Sequence, residues 1–221
     1  MLLTFTACSS TPPPPDWRLN AHGALERAVT AQLSADHRVA SLEFDRARAE
    51  IARTGRVDLM ARAELLRCAA LVAGLQFEPC AGFEALRADA AAAELAYADY
   101  LLGRLDAARI AQLPPSQQAV AAAGAGAAAD LATLRAITDP LSRLVAAAVW
   151  LQAGRATPAT LALAVETASA QGWRHPLLAW LNLQRRRAEL AGDNVEAQRL
   201  GRRIRLVFEG AASVTPALPP R

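Results

Sequence analysis

The sequence predicts an all-α protein of stacked antiparallel helical hairpins, and three observations carry that expectation. Alanine supplies much of the 53% apolar content, and ordering alanine costs almost no side-chain entropy, which gives it the highest helix propensity. Apolar residues recur at helical spacing without sustained alternation, and strand formers are thinly spread. Between the apolar segments stand Gly, Asp-Pro and Thr-Pro, the residues that stop and start helices. A chain of 221 residues is long enough for one domain with a real core.

Taken in order, residues 20–33 form the first predicted helix and 38–53 the second, which buries Val39, Leu42 and Ala49 and stops at Gly55. Asp58 caps a third helix through Leu75, with Leu59, Leu65, Leu66, Leu71 and Val72 apolar, and Pro79 closes it. Predicted helices over 82–89, 91–103 and 106–113 follow, the last ended by Pro114-Pro115. The alanine- and glycine-rich stretch 119–129 is too short for a membrane span, which needs about 20 residues, and reads as two helix ends joined by a glycine turn. Punctuation is sharper in the second half. Asp139-Pro140 opens a helix to Ala153, Thr157-Pro158 one to Gln171, His175-Pro176 one through Ala191, and Asp193 caps a last helix to about Phe208. Residues 210–221, with three prolines, read as a disordered tail.

A small residue followed five positions later by Ala recurs at Ala35/Ala40, Gly103/Ala108, Gly154/Ala159 and Gly192/Ala197. With Ala40, Phe44 and Ala47 in an A-x3-F-x2-A stretch, and Gly192-Asp193 before Ala197, the pattern resembles the tetratricopeptide repeat. There the small residue ends one helix and the Ala packs the next against it. That family repeats at about 34 residues, whereas the small residues here are separated by 68, 51 and 38 positions. The family's Trp-x2-Leu-Gly-x2-Tyr helix is absent. The resemblance implies a tetratricopeptide-like right-handed superhelix; the spacing implies an irregular α-α array.

The opening Leu2-Leu3-Thr4-Phe5-Thr6-Ala7-Cys8 resembles the end of a bacterial lipoprotein signal. By that resemblance Thr6 and Ala7 fill the small positions before the cleaved bond and Cys8 carries the lipid. Ser9, rather than Asp, after the Cys implies an outer-membrane destination. Ser9-Ser10-Thr11 and the run Pro12 to Pro15 then form a stiff, extended tether. A complete secretory signal has a basic segment and about 7–15 apolar residues, and only seven residues precede Cys8. Either the start lies upstream or the motif is a chance one on a cytosolic protein. The expected organisation is a signal remnant over 1–8, a tether over 9–16, a helical domain over 17–209 and a tail over 210–221.

Without Cys8, Cys68 and Cys80 remain, an even number that an oxidising compartment permits to pair. Eight helical residues from Cys68 cover about 12 Å, and the four residues after them reach back in extended form. A disulfide across this hairpin and two buried free thiols both fit.

All 24 basic residues are Arg, and the net charge of +3 is too small to imply a nucleic-acid partner. The charge is uneven. Residues 174–205 hold eight arginines against Glu189, Asp193 and Glu196. Arg185, Arg186, Arg187, Arg199, Arg202 and Arg203 form a candidate basic patch for anionic lipid or an acidic partner; a solvated arginine-rich face is the plainer reading. His22, His37 and His175 lack metal-ligand spacing, and the phosphate-loop, dinucleotide and serine-hydrolase motifs are absent. Glu64, Glu94 and Glu166 lie among apolar helix residues, where a solvated helix edge outweighs a buried acid. Trp150 and Trp180 read as core first and as a peptide groove second.

The expected function is therefore that of a non-catalytic envelope lipoprotein. It would be lipid-anchored, would face the periplasm from the outer membrane, and would use a helical scaffold to hold a protein or peptide partner. No cofactor, metal or small-molecule substrate is expected. A peptidoglycan-acting enzyme with a lone Glu as general acid, and a cytosolic helical interaction protein, are the alternatives.

Overall fold

The structure, a computed structural model, describes residues 13–123 and 131–212, with side chains through 209. Cys8 and the first half of the tether, the glycine-rich part of 119–129 and most of the predicted tail lie outside the described residues. The protein is all-α: helices account for every regular element among the described residues, without a strand.

In chain order the helices are α1 (Asp16–Leu33), α2 (His37–Ala52), α3 (Val57–Ala73), the single turn α4 (Ala81–Glu84), α5 (Ala92–Leu101), α6 (Pro115–Ala122), α7 (Leu131–Arg135), α8 (Pro140–Gln152), α9 (Pro158–Ala170), α10 (Arg174–Leu190) and α11 (Asn194–Ala212). Tighter 3₁₀ turns at Arg87–Asp89 and Ala107–Gln112 replace two of the predicted α-helices. Pro114-Pro115 both ends one element and starts the next, because proline at the first helical position forfeits no hydrogen bond. The first helix begins earlier than predicted, at Asp16, directly after the extended Pro15. The last runs into the predicted tail, to Ala212.

Small residues set the first hairpin. The inward stripe of α1 is Ala21, Ala24, Ala28 and Ala31, facing Ala40, Phe44, Ala47 and Ile51 of α2. Alanine stripes let the two backbones approach closely, which explains a core with few aromatics. The buried face of α2 differs from the expected one. Leu42 is 46% exposed, Ala49 is exposed and Val39 only half-buried, because the alanine and Phe44 stripe one residue further round packs better against α1. The turns follow the small-residue pattern: Ala35, Gly103, Gly154 and Gly192 all adopt positive φ, the left-handed region that ends helices. Of the paired alanines, Ala40 and Ala197 are buried whereas Ala108 and Ala159 are exposed.

Helix α3 is the hub, packing against α1, α2, α5 and α8. At the other end α11 packs on α10, and α9 lies between α8 and α10. Helix α10 also returns to α1, so first and last hairpins meet, unlike a linear array in which each unit touches only its neighbours. Those returns are made by polar groups. The last carbonyls of a helix lack intrahelical donors, and here distant side chains supply them. Arg174 donates through Nε and Nη2 to the Ser34 carbonyl after α1 (3.0 and 2.8 Å). Trp180 Nε1 donates to the Ala73 carbonyl closing α3 (3.1 Å). Gln152 Nε2 donates to the Leu101 carbonyl of α5 (2.9 Å), and Trp150 Nε1 to the Val120 carbonyl of α6 (3.3 Å). Trp150 and Trp180 are fully buried core residues.

Candidate functional site

Three buried glutamates sit on α2, α3 and α5, and each is held by an arginine from an earlier helix packed against its own. Arg27 of α1 donates through Nε to Glu43 of α2 at 2.9 Å. Arg48 of α2 pairs with Glu64 of α3, and Arg62 of α3 donates through Nε to Glu94 of α5 at 2.7 Å. The acids are inside while the arginine side chains are 44% to 64% exposed. Long arginine stems reach over the helix edge and keep part of the guanidinium in water. Glu43 was not among the expected candidates. A sequence signal existed: Arg27 to Glu43 and Arg48 to Glu64 share a separation of sixteen residues, about one helix and its turn.

Environment divides these acids. The Arg27 hydrogen bond holds Glu43 below the usual carboxylate range. Burial pushes Glu64 above it, outweighing the nearby Arg48. Gly82 lies directly against Glu64 as well: a Cβ at position 82 would meet its carboxylate, so any side chain there would have to displace it. Glu64, Gly82 and the Cys68–Cys80 pair line a small cleft of about 170 Å³. Cys68 and Cys80 are joined as a disulfide, Cα atoms 5.9 Å apart, tying α3 to the start of α4. Glu166, by contrast, is exposed on α9.

A second concave feature is a groove of about 360 Å³ between α1, α2 and α3. Leu25, Val29, Phe44, Leu66 and Leu71 line it with apolar surface, and Gln32, His37, Ser41, Arg67 and Gln76 supply polar groups. The Arg67 guanidinium lies 5.0 Å from the Phe44 ring centre, a cation–π arrangement, and among the described residues no carboxylate is in ion-pair contact with it. At one end His37 meets His175 of α10 edge-on, with ring centres 5.7 Å apart. Burial, and secondarily His37, lowers the pKa of His175. The Gln32 amide lies 3.5 Å from His175 Nδ1. His22 is remote from both, exposed beside Glu26 on α1 (3.2 Å).

The arginines of the candidate patch differ in what they contact. Arg199 is bound by Glu196 through two contacts of 2.6 Å, and Arg185 lies 3.5 Å from Glu189. Arg199 and Arg203 share a shallow depression with Glu166 and Glu196, while Arg187 turns to the Ala156 carbonyl (3.4 Å). Arg186 and Arg202 are exposed, without a carboxylate in ion-pair contact among the described residues. The same hairpin exposes Leu190, Val195, Leu206 and Phe208.

Among the described residues, no group of His, Cys, Asp and Glu side chains is arranged to hold a metal ion. No described helix is long and apolar enough to cross a membrane. No family model, curated protein or solved structure matches the chain.

Proposed function

We propose that this chain is a non-catalytic, lipid-anchored helical scaffold of the cell envelope that holds a segment of a partner protein in the α1–α2–α3 groove. The observation that carries the reading is the groove itself. It has an apolar lining built from three helices, polar groups along it, and an arginine, Arg67, that makes no ion-pair contact with a carboxylate among the described residues, Glu64 acting on it only at longer range. A partner segment placing apolar side chains over Leu25, Val29 and Leu66 and an acidic group beside Arg67 satisfies both features. The Cys68–Cys80 pair suits an oxidising compartment, and the Cys8 motif with its proline tether suits anchoring at a membrane face.

The alternative of a lone glutamate acting as general acid has less support. Arg48 and Arg62 pair with one oxygen each of Glu64 and Glu94, and Gly82 lies against one side of Glu64.

Two measurements test the proposal. Expression in a bacterial host with labelled palmitate should label the chain, and Cys8→Ala should abolish the label; unlabelled wild-type protein removes the anchor. Ser41→Arg places bulk and charge in the groove from an exposed position and should leave the melting temperature unchanged. Partners recovered with the wild type and identified by mass spectrometry should be lost with that variant; retention of the same partners removes the groove.

A further inference from the structure

Leu66 lines a second pocket as well, enclosed by α3, α5 and the Leu113-Pro114 segment. Its volume is about 440 Å³, inside the range of small-molecule and side-chain sites. The walls are Leu65, Leu66, Tyr97, Leu113 and Pro114, and the polar corner is the Arg62–Glu94 pair. That corner is incomplete. Glu94 is 5% exposed, its Oε1 accepts from Arg62, and its Oε2 is fully buried without any hydrogen-bond donor. Buried carboxylate oxygens are ordinarily satisfied, and one left bare costs free energy that a partner would recover.

We infer that this pocket takes a flat apolar group bearing one N–H donor, such as an indole, with the donor delivered to Glu94 Oε2. Charge selects a neutral ligand. Arg62 already balances the carboxylate, so the deficit is one hydrogen bond, and a cationic ligand would bring an uncompensated charge among leucines. Shape selects a ring, since the Tyr97 and Pro114 faces and the leucine walls suit a planar apolar body. Access comes past Arg62, whose side chain is 64% exposed against 6% for Glu94, with its bond to Glu94 Oε1 kept. The site is separate from the α1–α2–α3 groove and stands or falls without it. The indole arrives either as a free ring or as a tryptophan side chain of a bound peptide.

Titration of the full chain with indole and with 1-methylindole, followed by amide chemical shifts, tests this. Indole is expected to bind at least about tenfold more tightly and to shift Leu65, Ala93 and Leu113. Glu94→Gln keeps the shape but turns a donor toward the ring, and should erase the preference. Equal binding of the two probes by the wild type, as when an ordered water alone serves Oε2, overturns the inference. So do shifts confined to Val29 and Phe44. The wild-type comparison decides even if Glu94→Gln fails to fold. An N-acetylated Ala-Trp-Ala amide distinguishes the sources: binding at least as tight as indole assigns the site to a partner's tryptophan, and exclusion with indole retained assigns it to a free ring.

Discussion

Helices α1 to α5 and helices α8 to α11 are tied together by different chemistry. In the first group each buried glutamate is clamped by an arginine of an earlier helix. In the second no acid is buried among the described residues. There, Asp139 and the Thr157–Thr160 box cap α8 and α9, proline fills the first helical position of both, and the indoles of Trp150 and Trp180 reach across to α6 and α3. Buried ion pairs fix which helix faces which but add little net stability, because desolvation consumes most of the attraction. Indoles bury large apolar area and satisfy a helix end in the same step. The C-terminal helices therefore act as the clamp, and the N-terminal helices carry the open grooves.

If that division is right, the largest loss should come from Trp180→Ala. Removing a fully buried indole costs about 3–5 kcal/mol and also strips the Ala73 carbonyl of its donor; urea unfolding reads the change. Replacing both cysteines, Cys68→Ala with Cys80→Ala, should cost about 3 kcal/mol by freeing a short loop in the unfolded chain. The same loss should appear when reductant is added to the wild type.

The ion pairs should reveal themselves by pH rather than by size. Burial raises the pKa of Glu64, so its contribution is fully present below its ordinary 4.5 and is lost as pH rises through the folded value. Glu64→Gln should accordingly gain on the wild type as pH rises from about 4 to about 7. Glu43 has the opposite sign: its lowered pKa means stability present above the ordinary value and lost on acidification. Glu43→Gln should lose ground over the same interval. Parallel curves for the two variants would remove the distinction drawn between their sites.

The smallest effect is a turn. Ala35 holds φ of 65° where an L-residue is strained, so Ala35→Gly should stabilise by about 1 kcal/mol. Gly154→Ala, at φ of 67° with open space around it, should destabilise by a similar amount, about 1 kcal/mol. Melting curves of the two variants give the signs.

How much of this was legible in the sequence follows the same division. The boundaries of α8, α9 and α11 follow from Asp139-Pro140, Thr157-Pro158 and Asp193, because caps and prolines are local chemistry. Hydrophobicity alone turns α2 to the wrong face, since Leu42 outranks Ala40 in hydrophobicity while the Ala40, Phe44 and Ala47 stripe of the A-x3-F-x2-A stretch fits better against α1. Glu64 and Glu94 were weighed toward solvent. Their arginines stand sixteen and thirty-two residues away on other helices, beyond any local pattern. Pro114-Pro115 reads in the sequence as a stop, and in the structure the same pair also opens α6. Neither groove was visible, because each needs Leu66 and residues of three separate segments brought together by the hub helix α3.

The most direct test of the central claim places a photo-crosslinking amino acid at Ser41, in the N-terminal groove, and separately at Glu166, on the C-terminal clamp. Irradiation in cells of the native host should give one discrete adduct from position 41, lost when Leu25→Glu is added, and none from position 166. An adduct from position 166 alone, or an adduct from 41 unaffected by Leu25→Glu, would contradict the assignment of the partner surface to α1–α2–α3.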